Sequence, residues 1–437
     1  MKLRLTFAAV GLALLLAAWK ISPPVGAKSA RNDQPAPYPD RVILTWAGDP
    51  ARNAAVTWRT DTSVTKAKAQ IAVADDGPAF AKRALDVAAV SAPFRSNAGE
   101  AINHSVRFTD LKPATLYAYR VGDGASWTEW HQFRTASDRP APLTFLYVGD
   151  AQNDILSHWS RVVRMGYAKA PEAHFLIHAG DLVNRGSNDE EWGEWFRAGG
   201  WIHATIPSVP VPGNHEYDRR DGNRKLLTDH WRAQFTLPEN GIPGLEESNY
   251  YFDVQGVRVV ALNANERLKE QAEWLDGVLA RNPQRWTILT FHQPIYSTAK
   301  SRDNKELRET WQPVFDKHAV DLVLQGHDHT YARSNLLTGV NTRAGKAGTV
   351  YVVSVSGPKM YDNQRQPWMV RKAEDTQLFQ VIRIDGDSLK YESRTARGIL
   401  YDAFELRKRK KGPNELINLV PATPERLRGA MPESGAE

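Results

Sequence analysis

The 437-residue chain contains no cysteine, so neither a disulfide framework nor a thiolate nucleophile or metal ligand is available. Any bound metal must be held by histidine, carboxylate, amide or water. A large charge of one sign is also missing. The formal net charge is +6, and it falls to +3 without Lys2, Arg4 and Lys20 of the N-terminal segment. So small a charge predicts no nucleic-acid partner.

The apolar run at residues 5–19 is short for a full membrane span. Basic residues precede it and small residues follow at 25–27, an order that predicts a signal peptide at 1–27 and a polar linker at 28–37. We expect an exported protein, periplasmic or secreted, with no stable membrane association once the signal is cleaved. An uncleaved N-terminal membrane anchor is the alternative, because Lys20 and two prolines follow the run closely.

Two domains are expected between the linker and the C-terminus. Six short runs rich in β-branched and aromatic residues predict a β-sandwich at 38–136. From residue 143 apolar strands alternate with helical stretches, which predicts an α/β domain over 143–400. Residues 401–437 are expected to form a poorly structured tail. The predicted helices of the α/β domain are 154–169, 188–198, 266–281 and 303–317.

Polar turns follow five apolar strands of the predicted α/β domain: "VGDAQ", "AGDLVN", "VPGNHE", "FHQP" and "QGHDH". Ligands gather at the carboxyl ends of strands in such sheets, so the five turns can converge on one crevice. A scattered set is the alternative, because Asp and Asn are common turn formers. The presence of all five turns in this order, each directly after a strand, favours one common site.

The residue types in these turns suit two divalent ions about 3.5–4 Å apart, bridged by one carboxylate. We assign Asp181 as the bridge. Asp328 is expected to face away from the ions and to accept an imidazole N–H. One ion is expected at Asp150, Asp181 and His329, and the other at Asp181, Asn214, His292 and His327.

The ordered set GD, GD, GNHE, FH and GHDH resembles the motifs of the calcineurin-like metallophosphoesterases. With the preceding sandwich and its "LKPATLYAYRVG" segment, the chain resembles the purple acid phosphatases over roughly residues 38–400. The resemblance implies a fibronectin-III-like sandwich, a four-layer α/β/β/α core and the same metal ligands. It also implies an acid-phosphatase-like phosphomonoesterase that uses a metal-bridging hydroxide.

Several positions depart from the family pattern. Purple acid phosphatases carry a tyrosine three residues after the bridging Asp, where this chain has Asn184. Other members place a histidine two residues after the first Asp, where Gln152 is a candidate ligand or water holder. A histidine pair expected after Tyr296 is replaced by a segment that supplies Lys300 and Arg302, which are candidate phosphate contacts or surface charges.

His215 follows the ligand Asn214 and is expected to protonate the leaving group or to bind a phosphoryl oxygen; a packed structural histidine is the alternative. The neutral side chains of Asn184 and Gln152 suit two divalent ions, Mn, Zn or Fe(II). The expected substrate is a small-molecule phosphate ester. A phosphodiesterase acting on cyclic nucleotides, nucleic-acid fragments or phospholipid headgroups is an alternative, as is a non-catalytic adhesion or binding protein. No oligomeric state is indicated.

Overall fold

The computed structural model describes residues 34–220, 224–339 and 347–428. The predicted signal peptide and most of the predicted linker lie outside these ranges. The described residues belong to one compact unit, which begins at Gln34. None of the helices in the described ranges is long and apolar enough to cross a membrane.

The N-terminal domain consists of two four-stranded antiparallel sheets. Its strands are β1 (Asp40–Thr45), β2 (Ala54–Thr60), β3 (Lys68–Val73), β4 (Leu85–Ala88), β5 (Val90–Ser96), β6 (Gly99–Phe108), β7 (Leu116–Gly122) and β8 (His131–Arg134). One sheet has the order β1-β2-β6-β5 and the other β4-β3-β7-β8. Trp58, Tyr119 and Phe133 are buried in the core of this domain. The predicted sandwich is therefore confirmed, with two strands, β4 and β5, that the sequence analysis did not identify.

The second domain contains two seven-stranded sheets. The first has the order β11-β10-β9-β21-β22-β23-β24, built from β9 (Leu143–Val148), β10 (Leu176–His178), β11 (Ser208–Pro210), β21 (Leu378–Asp385), β22 (Ser388–Thr395), β23 (Leu400–Arg407) and β24 (Glu415–Asn418). The second has the order β14-β15-β16-β17-β19-β18-β20, built from β14 (Tyr250–Val254), β15 (Val257–Ala261), β16 (Trp286–Thr290), β17 (Leu322–Gln325), β18 (Tyr331–Leu337), β19 (Thr349–Val353) and β20 (Met369–Ala373).

Five α-helices accompany the two sheets among the described residues. They are α1 (Ser160–Lys169), α2 (Asp189–Gly199), α3 (Asp229–Gln234), α4 (Leu268–Ala280) and α5 (Lys305–Lys317), and a hairpin is formed by β12 (Tyr217–Arg220) and β13 (Arg224–Leu227). Helix α1 contacts β9 and β21, while α4 and α5 bury Leu275, Trp311 and Phe315 against the second sheet. Because an apolar cluster also fills the space between the sheets, the domain has the four layers α/β/β/α that the resemblance implied.

The prediction of a poorly structured tail from residue 401 is wrong for its first part. Strands β23 and β24 extend the first sheet as far as Asn418. Tyr401 and Phe404 are buried, and Asp402 forms a buried ion pair with Arg333 at 2.7 Å. These long-range contacts compensate for the charged run that follows β23, which is why local composition alone was misleading.

Candidate metal centre

The five polar turns meet at one edge of the two packed sheets. Strands β9, β10 and β11 run parallel, as do β16, β17 and β19, so their carboxyl ends lie together. This arrangement collects Asp150, Asp181, Asn214, His292, His327 and His329, each from a turn that follows one of these strands.

Two groups of ligand atoms overlap at Asp181. One contains Asp150, Asp181 and His329, and the other contains Asp181, His292 and His327. Within each group the ligand atoms lie within 4.8 Å of one another. The two groups contain the carboxylates and histidines that the sequence analysis assigned to two ions, with the proposed bridge Asp181 common to both.

Hydrogen bonds from the second ring nitrogen fix the orientation of two of the histidines. His292 donates Nδ1–H to the carbonyl of Ala179 at 2.8 Å, and His329 donates Nδ1–H to the carbonyl of Lys359 at 2.9 Å. Their Nε2 atoms lie 3.0 Å from Asp181 Oδ2 and 3.7 Å from Asp150 Oδ1, respectively. Such carbonyl partners are typical of metal-binding histidines because they set the tautomer and the ring direction.

Two buried amide oxygens at the site have no hydrogen-bond partner, namely Asn214 Oδ1 and Gln152 Oε1. An unpaired buried acceptor is costly unless a cation or water satisfies it. The Gln152 amide nitrogen lies 3.2 Å from Asp181 Oδ2 and 2.8 Å from His329 Nε2, so this side chain reaches the ligand atoms of the first group. The two amide oxygens and the neighbouring carboxylates and imidazoles are suitable ligands for a pair of cations. The roles of Asn214 and Gln152 as ligands remain predictions.

The electrostatics of the site also favour bound cations. Burial, reinforced by the Asp181 carboxylate, raises the pKa of Asp150 well above its usual range. Burial acts to lower the pKa of His292, but the adjacent Asp181 carboxylate outweighs it and raises that pKa to about 9. Two carboxylates that are each 1% exposed thus share one imidazole as their nearest source of positive charge, and divalent ions would neutralise them.

The backbone is strained at four of the candidate ligands. Asp150, Asp181, His327 and His329 have φ angles of 51°, 50°, 75° and 38°, in the left-handed region that non-glycine residues rarely adopt. Such strain clusters at functional sites because the surrounding fold enforces it. The glycine of the "GHDH" motif is required by close approach, since a Cβ on Gly326 would overlap the Asp150 carboxylate.

Glu216, the last residue of the "GNHE" motif, has a role that the sequence analysis missed. It is fully buried, and its carboxylate accepts the backbone N–H groups of Asp181, Leu182, Val183 and Gly213 at 2.7–3.3 Å. Burial, together with the Asp181 carboxylate, raises the pKa of Glu216 to about 8, while the N–H donors act in the opposite direction. Glu216 therefore connects the turn that contains the proposed bridging ligand Asp181 to the turn that contains Asn214.

His215 lies beside the ligand groups without belonging to either. Its Nδ1–H donates to the carbonyl of Asn184 at 2.6 Å, and its Nε2 lies 4.0 Å from Asp181 Oδ2. The side chain is 28% exposed, unlike the fully buried His292. The ring therefore faces the site and solvent together, where a proton donor to a leaving group must be placed.

The turn between the two C-terminal histidines differs from its predicted form. Asp328 belongs to neither ligand group, and within the described part of the chain it accepts no imidazole N–H. It accepts the backbone N–H groups of Thr298 and Ala299 at 2.6 and 3.1 Å. Arg302 donates to Asp328 Oδ1 at 3.1 Å and to the carbonyl of His327 at 3.0 Å, so it supports this turn. Lys300 is exposed on the same loop, and both basic residues remain candidate phosphate contacts.

The N-terminal sandwich contacts α2, which in turn holds the loop that follows Asp181. Arg41 and Arg59 of the sandwich bind the buried Asp189 carboxylate at 2.7 and 2.9 Å, at the N-terminal end of α2. In the first turn of the same helix Glu191 accepts the backbone N–H of Asn184 at 2.8 Å. The sandwich is thus linked through α2 to the loop that orients His215.

Comparison with known proteins gives two family matches. Residues 143–331 match the calcineurin-like phosphoesterase family, and residues 39–135 match the N-terminal domain of purple acid phosphatases. The chain is 28% identical to purple acid phosphatase 15 of Arabidopsis thaliana, covering 63% of this chain and 56% of that protein. It is 26% identical to an uncharacterized protein of Mycobacterium tuberculosis, covering 71% and 64%.

A solved structure shares the fold of both domains. The purple acid phosphatase from yellow lupin seeds superposes with a TM-score of 0.72 at 19% identity, covering 85% of this chain and 75% of that one. The two sequence relatives are matched over less than two thirds of their own length. Residues 143–331 are therefore a calcineurin-like phosphoesterase domain, and residues 39–135 are an N-terminal domain of the purple acid phosphatase type.

Proposed function

We propose that the protein is a metal-dependent phosphoester hydrolase that acts on phosphate monoesters. The observation that carries this proposal is the pair of ligand groups that share Asp181, set in a calcineurin-like phosphoesterase domain. The preference for monoesters is supported by the likeness to relatives that are named as purple acid phosphatases.

Asp181 would hold both ions. Asp150 and His329 would complete one site, and Asn214, His292 and His327 the other. Two such ions, when bound, would supply activation of a water molecule and neutralisation of the oxygens of the phosphoryl group. The neutral side chains of Asn184 and Gln152 favour two divalent ions, and we propose Mn, Zn or Fe(II).

The residues of the chain supply orientation and proton transfer. Glu216 and the carbonyls of Ala179 and Lys359 hold the ligands in place before substrate binds. His215 has a fixed ring, and because Nδ1–H is donated to Asn184, Nε2 carries a proton only in the imidazolium form. We propose that this Nε2–H is transferred to the leaving-group oxygen as the P–O bond breaks.

We also propose that the protein is exported, because a basic and then apolar N-terminal segment precedes the folded domains. Digestion of cells with a protease, or labelling with a membrane-impermeant reagent, before and after the outer layers of the cell envelope are opened tests this proposal. A protein that reacts only after the cytoplasmic membrane is broken would contradict export.

Metal analysis combined with two substrates tests the hydrolase proposal. The purified protein should contain two metal ions per chain and should hydrolyse p-nitrophenyl phosphate with a larger kcat/KM than bis(p-nitrophenyl) phosphate. A higher value for the diester would assign a phosphodiesterase. Stoichiometric metal without hydrolysis of either ester would support a non-catalytic metal protein instead.

A further inference from the structure

The loop that follows β19 places a basic residue beside the candidate metal centre. β19 runs parallel to β17, so its carboxyl end reaches the edge where His327 and His329 lie. The loop is fixed there by two hydrogen bonds. His329 donates Nδ1–H to the carbonyl of Lys359, and the N–H of Tyr361 donates to the carbonyl of His329 at 3.1 Å.

Lys359, Tyr361 and Arg302 form a cationic rim on the His329 side of the site. The Tyr361 ring lies 4.6 Å from the His329 ring, centroid to centroid. Arg302 Cζ is 4.9 Å and Lys359 Nζ is 5.5 Å from the centroid of the Tyr361 ring. Both cations therefore lie against one aromatic ring that itself contacts a candidate metal ligand.

The two cations of this rim differ in whether a carboxylate already pairs with them. Arg302 forms an ion pair with Asp328 at 3.1 Å. Lys359 has no carboxylate within ion-pairing distance among the residues that the structure describes. The ammonium group of Lys359 thus lies beside the Tyr361 ring, which contacts His329, and is available to an anion.

A phosphate monoester presents more negative charge to this rim than a diester does. Its dianion has three non-bridging oxygens, whereas a diester has two and carries an organic group in place of the third. An ammonium group beside the two ions adds a further partner for a phosphoryl oxygen, and charge-assisted hydrogen bonds of this kind are among the strong ones. We infer that Lys359 binds a non-bridging phosphate oxygen and so favours monoesters over diesters. This inference rests on the proposed hydrolase function.

The side chain of Lys359 can be tested separately from its backbone. Lys359→Met removes the charge and keeps the length of the side chain, while the carbonyl that holds His329 is unchanged. Inorganic phosphate is titrated into the metal-loaded protein by calorimetry, and kcat/KM is measured for p-nitrophenyl phosphate and its bis ester. Lys305→Met is the matched control, because Lys305 is exposed and forms only a 3.7 Å surface pair with Glu309.

For Lys359→Met we expect phosphate affinity and monoester kcat/KM to fall roughly 10- to 100-fold, with less than about a threefold change for the diester. Lys359→Arg should recover part of the loss, and Lys305→Met should behave as wild type. Unchanged phosphate binding, an equal loss for both esters, or loss of metal would each overturn the inference. If the wild-type protein hydrolyses neither ester, the proposed function fails, and the phosphate titration still tests Lys359.

Discussion

The imidazole of His215 is held by the carbonyl of Asn184 at 2.6 Å, which leaves its Nε2 free to face the candidate metal centre. The contact joins the "GNHE" turn to the loop that follows Asp181. Because His215 belongs to neither ligand group, its contribution to catalysis is separable from metal binding. We expect His215→Ala to retain both metals and to slow hydrolysis by about 10²–10⁴, as is typical of a lost general acid.

The leaving group distinguishes an acid role from a structural one. Alkyl phosphates need protonation of a basic alkoxide, so His215→Ala should slow them more than aryl phosphates. His318→Ala, which removes a partly buried contact with Asp276, is the control and should slow neither class of ester. Equal losses for alkyl and aryl esters would argue against proton transfer by His215.

The colour of the metal-loaded protein reports on position 184. The purple colour of the related phosphatases requires a tyrosinate bound to iron(III), and Asn184 cannot supply one. We therefore expect no intense visible band in the metal-loaded wild-type protein. Visible spectroscopy checks this directly. A strong purple band that disappears on substitution of another tyrosine, such as Tyr361 beside His329, would show that the ligands are misassigned.

Asp189 connects the sandwich to the phosphoesterase domain through a buried cluster. Its side chain is 2% exposed and binds two guanidinium groups that are 6% and 3% exposed. Asp189→Ala would leave the buried Arg41 without its carboxylate partner and Arg59 with only the partly exposed Asp40, at a cost of about 3–5 kcal/mol. Chemical denaturation measures this loss. Asp138→Ala removes the exposed pair with Arg52 and should cost no more than about 1 kcal/mol. Equal effects would contradict a stabilising role for the cluster.

Acidic pH should destabilise the sandwich through His104. Burial lowers the pKa of His104 to about 4 from an ordinary value of 6.5, so the unfolded chain binds more protons between these values. Stability is therefore lost as pH falls from 6.5 to 4. The glutamine of His104→Gln can still form hydrogen bonds with Thr60 and Ser91, the present partners of the ring. The melting temperature of this variant should therefore fall less between pH 6.5 and pH 4 than that of the wild-type protein. Identical losses in both proteins would contradict the assignment.

The sequence predicted which of these side chains cluster because each motif directly follows a buried strand. β17, for example, is mostly apolar and is buried along its whole length, as expected for a strand covered on both faces, and the polar turn after it marks the edge of the sheet. β19 is buried along its whole length as well, but it ends at Val353. Lys359 stands six residues beyond that end, so the same rule did not identify it.

Features that depend on distant partners could not be predicted. β4 and β5 are largely exposed, and Pro93 interrupts the β5 pattern, so no alternation of buried residues signals these strands. Glu216 acts through backbone N–H groups up to 35 residues away, and no side-chain motif encodes these contacts. β23 is stabilised by the buried ion pair between Asp402 and Arg333, which lie far apart in the sequence, so local sequence did not indicate this strand.

The metal content of Asp181→Asn tests the account most directly. Asparagine keeps the Oδ1 that accepts the His215 N–H at 3.0 Å but removes the charge shared by both ligand groups. Elemental analysis of the purified variant, beside wild type and the surface control Asp138→Asn, should show two ions per chain in both reference proteins. We expect at least one ion and nearly all turnover to be lost in Asp181→Asn. Two ions at full occupancy with wild-type rate would contradict the dinuclear centre.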